Sequence, residues 1–347
     1  MSSRRKRKKQ RSKRSGSRLF ALKAGFVLLA VGALYTGTAV WFVHHPKGWI
    51  ERHAAQWPDF LAVPFLSAGN SVGDLTDALG WTGHDAVYEY DTPAPEGSVF
   101  FAGAPRRTGT PAPTDIVTLT RNDFAIGWSP SLRHPVWCAY HVRPDAQHPV
   151  GERPKFRRDT TVPSAPRPGD YARSGYDRGH MAPNYAIVTR YGAEAQKDTF
   201  LMSNIAPQSP ALNRSVWRNL EHRIADLWTA RYGEIWVIVG ALSLPGSCET
   251  ISGTDIDVPD AYYQIVVAQE GMDVQAFAVL LPQTIKWRAY AARHLISIDE
   301  LEEITGFDFL PELPEFIQRP LESELPSRLW PVRLRDIFRQ IALRYDS

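Results

Sequence analysis

The stretch SGYDRGHMAPNY, residues 174–185, brings four residues with chemically useful side chains close together: Asp177, Arg178, His180 and Asn184. A histidine of ordinary pKa can accept a proton from water at neutral pH. The adjacent arginine presents a planar fork that fits phosphate oxygens. Gly179 between them allows a sharp turn or a close backbone approach. The stretch therefore favours acid–base chemistry on a phosphate ester, although a single histidine is by itself more often structural.

A second polar set lies on a predicted helix over SPALNRSVWRNLEHRIADLWTARYG, residues 209–233, with Ser209 as its N-cap and Gly233 as its stop. Asn213, Trp217 and Glu221 are spaced four apart and should share one side of it. The rise from Asn213 to Glu221 is about 12 Å, so both cannot bind one small ion directly. One direct ligand and one acting through water fits this spacing. The alternative is surface polarity around a core tryptophan.

The elements that must position these residues are short strands and a few helices. The second predicted helix is SIDELEEITG, where Ser297 and Glu300 form a capping box and Gly306 ends the helix. Pro183 is expected to end any helix near the histidine. Strand-like runs rich in Val, Ile and aromatic residues occur at IVTLT, VWCAYHV, EIWVIVG, YYQIVVAQ and VQAFAVLL. Without regular βαβ alternation, this pattern predicts an α+β fold.

Three segments in order, DRGHMAPN (177–184), MSNIAPQ (202–208) and NRSVWRNLE (213–221), resemble the DNA/RNA non-specific endonuclease family. These are the ββα-metal nucleases that include endonuclease G. FAGAP near residue 101, GWSPSLRHPVWCAYHV (127–142) and ITGFDFLPELP (304–314) look like its opening strands and closing segment. The resemblance covers a nuclease domain at 98–314 and implies a ββα-metal fold with a central antiparallel sheet.

The resemblance assigns His180 as the general base that activates the attacking water. It assigns Arg178 as the arginine that stabilises charge on the phosphate, and Arg133 as an arginine of similar role on a neighbouring strand. Asn204 matches an asparagine near the site. Asp177 is expected to hold the loop rather than to take part in the chemistry. Nearby basic residues form either a positive track for nucleic acid or a solvated loop; they are Arg153, Lys155, Arg157, Arg158, Arg167 and Arg173.

The resemblance also implies one metal ion, Mg²⁺, with other divalent cations such as Mn²⁺ as substitutes. Asn213 matches the direct protein ligand, and Glu221 matches the glutamate that holds the hydrated ion through water and serves in catalysis. Mg²⁺ retains water readily, so a single direct protein ligand is chemically reasonable. The implied substrates are DNA and RNA, contacted through phosphates and cleaved to 5′-phosphate and 3′-hydroxyl ends.

The chain of 347 residues has a formal charge of +3 that hides two unlike parts. Residues 1–23 carry eleven Lys or Arg and no acid, which leaves 29 basic and 37 acidic residues and a net charge of −8 elsewhere. The uncharged residues 24–43 are long enough, at about 30 Å, to span a bilayer as a helix. The positive-inside rule keeps the basic head in the cytoplasm and translocates the rest.

These features predict a single-pass membrane protein anchored in the bilayer by residues 24–43. Its catalytic domain would face the periplasm or the exterior of a bacterial cell, with the mitochondrial inner membrane as a less favoured setting. A cleaved signal peptide and a nuclear-localisation reading of the basic run are the alternatives; the apolar segment is long for the first and follows too closely for the second. The sequence leaves open whether a homodimer or an inhibitor protein is involved.

The remaining segments flank the domain. Residues 44–97 are rich in Pro, Gly and Asp and are predicted to form a stalk, and 315–347 form a C-terminal extension containing an amphipathic helix at RLRDIFRQIALRY. Two cysteines, Cys138 and Cys248, exclude a disulfide framework but leave one bond open. Two other functions compete with the nuclease: a phosphodiesterase for small nucleotide or other phosphate esters, and a non-catalytic nucleic-acid-binding membrane protein.

Overall fold

The computed structural model describes residues 87–90, 92, 96–287 and 289–331. The predicted basic head, the anchor at 24–43, most of the stalk and the helix predicted at RLRDIFRQIALRY lie outside the described residues. Among the residues that are described, no helix has the length and apolar character needed to cross a bilayer.

A central antiparallel sheet forms the body of the domain, which confirms the α+β prediction. Its strands run in the order β1-β10-β9-β8-β5-β4-β3, with β11 paired to β10. The strands are β1 (Tyr88–Glu89), β3 (Val117–Thr120), β4 (Phe124–Ser129), β5 (His134–Val142), β8 (Ile235–Leu242), β9 (Ala261–Glu270), β10 (Asp273–Pro282) and β11 (Leu295–Ile296). The five predicted runs correspond to β3, β5, β8, β9 and β10, whereas β4 was not predicted.

The middle of the sheet is buried on both faces, as the nearly continuous apolar runs of β5 and β8 require. Alternate residues enter two cores: Cys138 and Tyr140 pack in one, Trp137 and Ala139 in the other. The core that holds Cys138 also contains Met181 and Trp217, so the DRGH segment and the Asn213 helix cover that face. The sheet is thus the platform for the candidate site.

Among the described residues, two small strand pairs and four longer helices complete the fold. The pairs are β2 (Arg106–Arg107) with β12 (Phe307–Asp308), and β6 (Asp177–His180) with β7 (Ile205–Gln208). Helix α1 (Asn184–Thr199) begins directly after Pro183, so the expectation that Pro183 ends a helix is wrong. A proline at a helix start costs little because its missing N–H would have no partner there.

The predicted Asn213 helix is confirmed as α2, over residues 210–232. Gly233 follows it with φ 79°, as a stop that favours glycine. Two stretches of α2 are π-helical, Leu212–Trp217 and Arg223–Trp228, and they alternate with α-helical Arg218–His222 and Thr229–Tyr232. The wider turns change the side-chain spacing that a regular α-helix would give, and π-type turns are frequent at functional sites.

Helix α3 (Ile298–Thr305) is the predicted capped helix. The Ser297 side chain accepts a hydrogen bond from the Glu300 backbone N–H, and Gly306 ends the helix in the left-handed conformation. Helix α4 (Glu315–Ser323) lies within the segment predicted as an extension. The described part of that segment packs on the domain.

Segments on both sides of the predicted boundaries, 98 and 314, pack on the domain. At the C-terminal end, the Trp330 ring packs against Trp228 and Phe277, and the Trp228 indole N–H donates to the Trp330 carbonyl at 3.0 Å. At the N-terminal end, β1 pairs with β10.

Both cysteines are free thiols, Cys138 buried and Cys248 exposed.

Candidate active site

The DRGH residues form strand β6 rather than a turn. In the β6–β7 pair, Arg178 lies opposite Pro207, Gly179 opposite Ala206 and His180 opposite Ile205. A Cβ at position 179 would overlap the buried side chain of Gln208, so glycine is required for close approach rather than for a turn. The pairing of β6 with β7 thereby fixes the register of Arg178 and His180 at the edge of the core.

His180 is buried, with 8% of its surface exposed, between two phenylalanines. Its ring centroid lies 5.3 Å from that of Phe156 and 5.0 Å from that of Phe200. Burial, aided by the charge of Arg153, lowers the pKa of His180 to about 3. Its buried Nε2 has no hydrogen-bond partner among the described residues. The imidazole is therefore neutral at physiological pH, with a ring nitrogen that can accept a proton.

Arg178 and Arg133 both act electrostatically on Tyr171. The Arg178 guanidinium carbon stands 5.0 Å from the Phe156 ring centroid, and its buried Nε lacks a partner in the described part of the chain. Arg133 has a positive φ of 60° in the β4–β5 turn, and its Nε donates to the Ser164 carbonyl at 3.1 Å. Burial raises the pKa of Tyr171, while the charges of Arg178 and Arg133 oppose that shift, so both cations are within electrostatic reach of its hydroxyl.

Asn213 is joined to strand β6 by Asp177, a residue that the sequence interpretation left out of the chemistry. The Asn213 Nδ2 donates to Asp177 Oδ2 at 2.9 Å, and Arg214 Nε donates to the same oxygen at 2.7 Å. Burial alone would raise the pKa of Asp177, but these bonds from Arg214 and Asn213 lower it below its ordinary value. A carboxylate accepts only from the NH₂ side of an amide, so the carbonyl oxygen of Asn213 is turned away from Asp177.

Glu221 is the most perturbed carboxylate on this helix. Desolvation raises its pKa to about 7, although the charges of His222, Arg153 and Arg218 oppose the shift. The Trp217 indole also opposes it, without making a regular hydrogen bond, and Glu221 keeps a partly exposed surface. A carboxylate that is half protonated at neutral pH would be stabilised in its charged form by a nearby cation.

The resemblance places Asn204 among the catalytic residues, and the structure shows its amide fully bonded to the backbone. Its side chain is fully buried. Its Oδ1 accepts from the Ala182 N–H at 2.9 Å, and its Nδ2 donates to the Ala182 and Thr199 carbonyls, each at 3.0 Å. Both amide hydrogens are thus committed to the backbone. Asn204 holds the segment that follows His180 rather than facing a substrate.

Ten of the described residues have buried polar side-chain atoms without a hydrogen-bond partner. Five of them lie on or beside the β6–β7 pair and α2: Tyr171, Arg178, His180, Gln208 and Trp217. Buried polar groups normally have partners, so such a concentration indicates a site that completes its bonding with solvent, a metal or a substrate. An amide oxygen and a carboxylate suit Mg²⁺, which prefers oxygen ligands and retains water. The donor set at Asn213 and Glu221 therefore fits the expected ion.

A second acidic group, Asp299, Glu302 and Glu322, could also hold a cation by its geometry. It lies on α3 and α4, which pack on the sheet face opposite to His180. Clustering of carboxylates alone therefore does not identify the face of the sheet that carries His180. Two residues outside the predicted chemistry lie beside the site: Asp177 was expected to hold the loop, and Arg153 was one of six basic residues of a possible positive track.

Comparison with known proteins agrees with this arrangement. A family model described as DNA/RNA non-specific endonuclease matches residues 103–316. A nuclease from Nostoc sp. is 32% identical over 234 residues, covering 63% of this chain and 82% of that protein. Mitochondrial endonuclease G from Homo sapiens is 29% identical over 209 residues, covering 56% of this chain and 69% of that protein.

A chain from the crystal structure of an EndoG/EndoGI complex superposes with a TM-score of 0.53, at 24% sequence identity, over 57% of this chain and 87% of that chain. At that identity the likeness concerns the fold, and it confirms the predicted α+β architecture with a central antiparallel sheet. The predicted assignment to enzymes is confirmed by relatives named as nucleases. This chain, with its DRGH strand and the helix that bears Asn213 on one face of the sheet, belongs to the DNA/RNA non-specific endonuclease family.

Proposed function

We propose that this protein is a Mg²⁺-dependent endonuclease that hydrolyses DNA and RNA to 5′-phosphate and 3′-hydroxyl ends. The observation that carries the proposal is the joining of β6 to α2 by the hydrogen bond between Asp177 and Asn213. This bond places the amide of the proposed metal ligand beside the strand that bears Arg178 and His180. Glu221 lies on the same helix, within the electrostatic reach of Arg153, which also acts on His180.

In the proposed mechanism, His180 Nε2 accepts a proton from the attacking water, which the neutral state of the imidazole permits. Arg178 and Arg133 bind the non-bridging phosphate oxygens and stabilise the charge that grows on them. Asn213 Oδ1 would hold the metal directly and Glu221 would hold it through water. When bound, Mg²⁺ (or Mn²⁺) supplies positive charge to the phosphate and to the departing 3′ oxygen.

No residue in this scheme contacts a nucleobase, which supports low sequence specificity. Contacts to phosphate position a nucleic acid but carry little sequence information. External water rather than the 2′-hydroxyl is the nucleophile, so DNA and RNA are both expected substrates. The −8 charge of the chain beyond residue 23 favours modest affinity for long duplexes, and this keeps a phosphodiesterase for small esters as the second candidate.

The membrane location is proposed from the sequence. The uncharged segment 24–43 after a head with eleven basic residues supports a single-pass anchor, with the nuclease domain on the translocated side. Protease protection of the tagged chain in spheroplasts or vesicles tests this orientation. The structural neighbour was solved in an inhibitory complex, so an inhibitor protein is a partner to test, and so is a second copy of the chain.

The experiment that tests the function uses the full chain in mild detergent with plasmid DNA and RNA. We expect cleavage with Mg²⁺, none with EDTA, and a loss of at least about 100-fold in His180→Ala and Asn213→Ala, since general-base catalysis alone contributes about that much. Arg319→Gln, on the opposite face of the sheet, is the control for an unrelated change. Metal-independent cleavage, or an active His180→Ala of unchanged rate, would refute the mechanism. Preference for a mononucleotide diester over plasmid would select the second candidate.

A further inference from the structure

His180 has an arginine stacked on each of the two rings beside it. The ring centroids of Phe156, His180 and Phe200 form a triangle with sides of 5.0, 5.1 and 5.3 Å. The guanidinium carbon of Arg178 lies 5.0 Å from the Phe156 centroid, and that of Arg153 lies 5.3 Å from the Phe200 centroid. Such stacking orients a guanidinium and contributes a small interaction free energy at exposed sites.

The backbone holds the Arg153 segment against this triangle. The Arg157 N–H donates to the Phe200 carbonyl at 3.1 Å, and the Met202 N–H donates to the Arg157 carbonyl at 2.9 Å. These bonds align the residues around Phe156 with those around Phe200. Arg153 lies at the exposed start of this segment, and its guanidinium stands over the Phe200 ring beside the general base.

Arg153 stacks on an aromatic ring, whereas Arg157 and Arg158 of the same loop bind other groups. Arg157 pairs with Asp198 at 3.8 Å, and Arg158 donates to the carbonyls of Pro163 and Ala165. Within the ranges that the structure describes, no acidic side chain pairs with Arg153, which is exposed. Its cation is ordered by an aromatic face but not neutralised by a carboxylate, and so remains available to an anion.

The charge of Arg153 also reaches the base. After burial, it is the second cause that lowers the pKa of His180. Through the Phe200 ring, its guanidinium carbon is within about 10 Å of the imidazole centre, which is about one Debye length at 0.1 M salt. A cation so placed opposes protonation of the base unless an anion lies between them. A polyanionic substrate supplies that anion.

We propose that Arg153 binds the substrate phosphate next to the one that is cleaved, and so makes the site prefer a strand over an isolated diester. The proposal rests on the proposed function for the identity of the reacting phosphate. Arg178, which stacks on the Phe156 ring, binds the phosphate that is cleaved. Successive phosphates of one strand rise by about 3.4 Å along the duplex axis, so one strand can place a phosphate near Arg153 while the next lies near the general base.

The test compares Arg153→Gln with the wild-type full chain on plasmid DNA and on bis(p-nitrophenyl) phosphate, both with Mg²⁺. We expect kcat/KM on DNA to fall about five- to tenfold at 0.1 M salt, and its slope against log salt to decrease by about one. Hydrolysis of the single diester should stay within twofold. Arg153→Lys, which keeps the charge but loses the planar stacking, should lie between, and Arg319→Gln should match the wild type.

Equal losses on both substrates would overturn the proposal by placing Arg153 at the cleaved phosphate. No loss on either, or a loss on DNA with an unchanged salt slope, would also overturn it. If the wild type cleaves neither substrate, the proposed function fails, but Arg153 is still testable. Fluorescence anisotropy of a labelled single-stranded oligonucleotide in EDTA should then show weaker binding and a smaller salt slope for Arg153→Gln. Identical binding curves would refute the role.

Discussion

The bond between Asp177 and Asn213 makes the orientation of a proposed metal ligand depend on one carboxylate. Replacing Asp177 with Ala removes the acceptor for Asn213 Nδ2, and the amide is then free to turn. About four side-chain states become accessible on a helix, two for each torsion, and only one presents the oxygen correctly. The fraction of molecules whose Asn213 is oriented to bind Mg²⁺ falls to about one quarter, which raises the apparent dissociation constant for Mg²⁺ about fourfold.

Loss of the carboxylate also removes the polarisation that it gives to the amide. Changes of such outer partners commonly cost about 10- to 100-fold in metal affinity or activity, so the expected rise in the half-saturating Mg²⁺ concentration is within that range. The assay is the initial rate of plasmid cleavage across a Mg²⁺ titration. Asp177→Asn, whose amide oxygen can accept from Asn213, should recover most of the affinity. This recovery separates positioning from a general structural loss.

The matched control removes the other partner of Asp177. Arg214 is exposed and forms two hydrogen bonds with the same carboxylate. Because exposed ion pairs contribute little, Arg214→Ala should change the Mg²⁺ requirement by no more than about twofold. An unchanged Mg²⁺ requirement in Asp177→Ala, or equal effects in the two variants, would show that the orientation of Asn213 does not depend on this bond.

Two further predictions concern stability. The pKa of His180 is about 3 in the folded state, below the ordinary 6.5, so its contribution is complete above pH 6.5 and is lost as the pH falls toward 3. Between pH 7.5 and 5.5 the wild type should lose about 1.4 kcal/mol more unfolding free energy in urea than His180→Gln; parallel losses would contradict the low pKa. Asn204→Ala leaves buried backbone groups of Ala182 and Thr199 unpaired, and should cost about 1–3 kcal/mol in the same assay. Lost cleavage at unchanged stability would instead favour the catalytic role.

The sequence determined the elements whose signals are local. Apolar runs predicted the long strands β5, β8, β9 and β10, because a strand buried on both faces needs an almost continuous apolar sequence. Capping residues predicted both ends of α3 and the stop of α2, because these depend on the backbone of a few neighbouring residues. The order of the three motifs also indicated the family, which the comparisons confirmed.

Tertiary structure decided how those residues are used. DRGH reads as a turn because of its glycine, yet it is a strand, since Gly179 gives room to a side chain 29 positions later. Asn204 and Asp177 are fixed by hydrogen bonds to distant partners, which no local pattern encodes: the first is bonded to the backbone, and the second is joined to Asn213. Arg153 was one of six similar basic residues in the sequence. Only the folding of its loop onto Phe200 distinguishes it, because electrostatic reach depends on distance in space rather than along the chain.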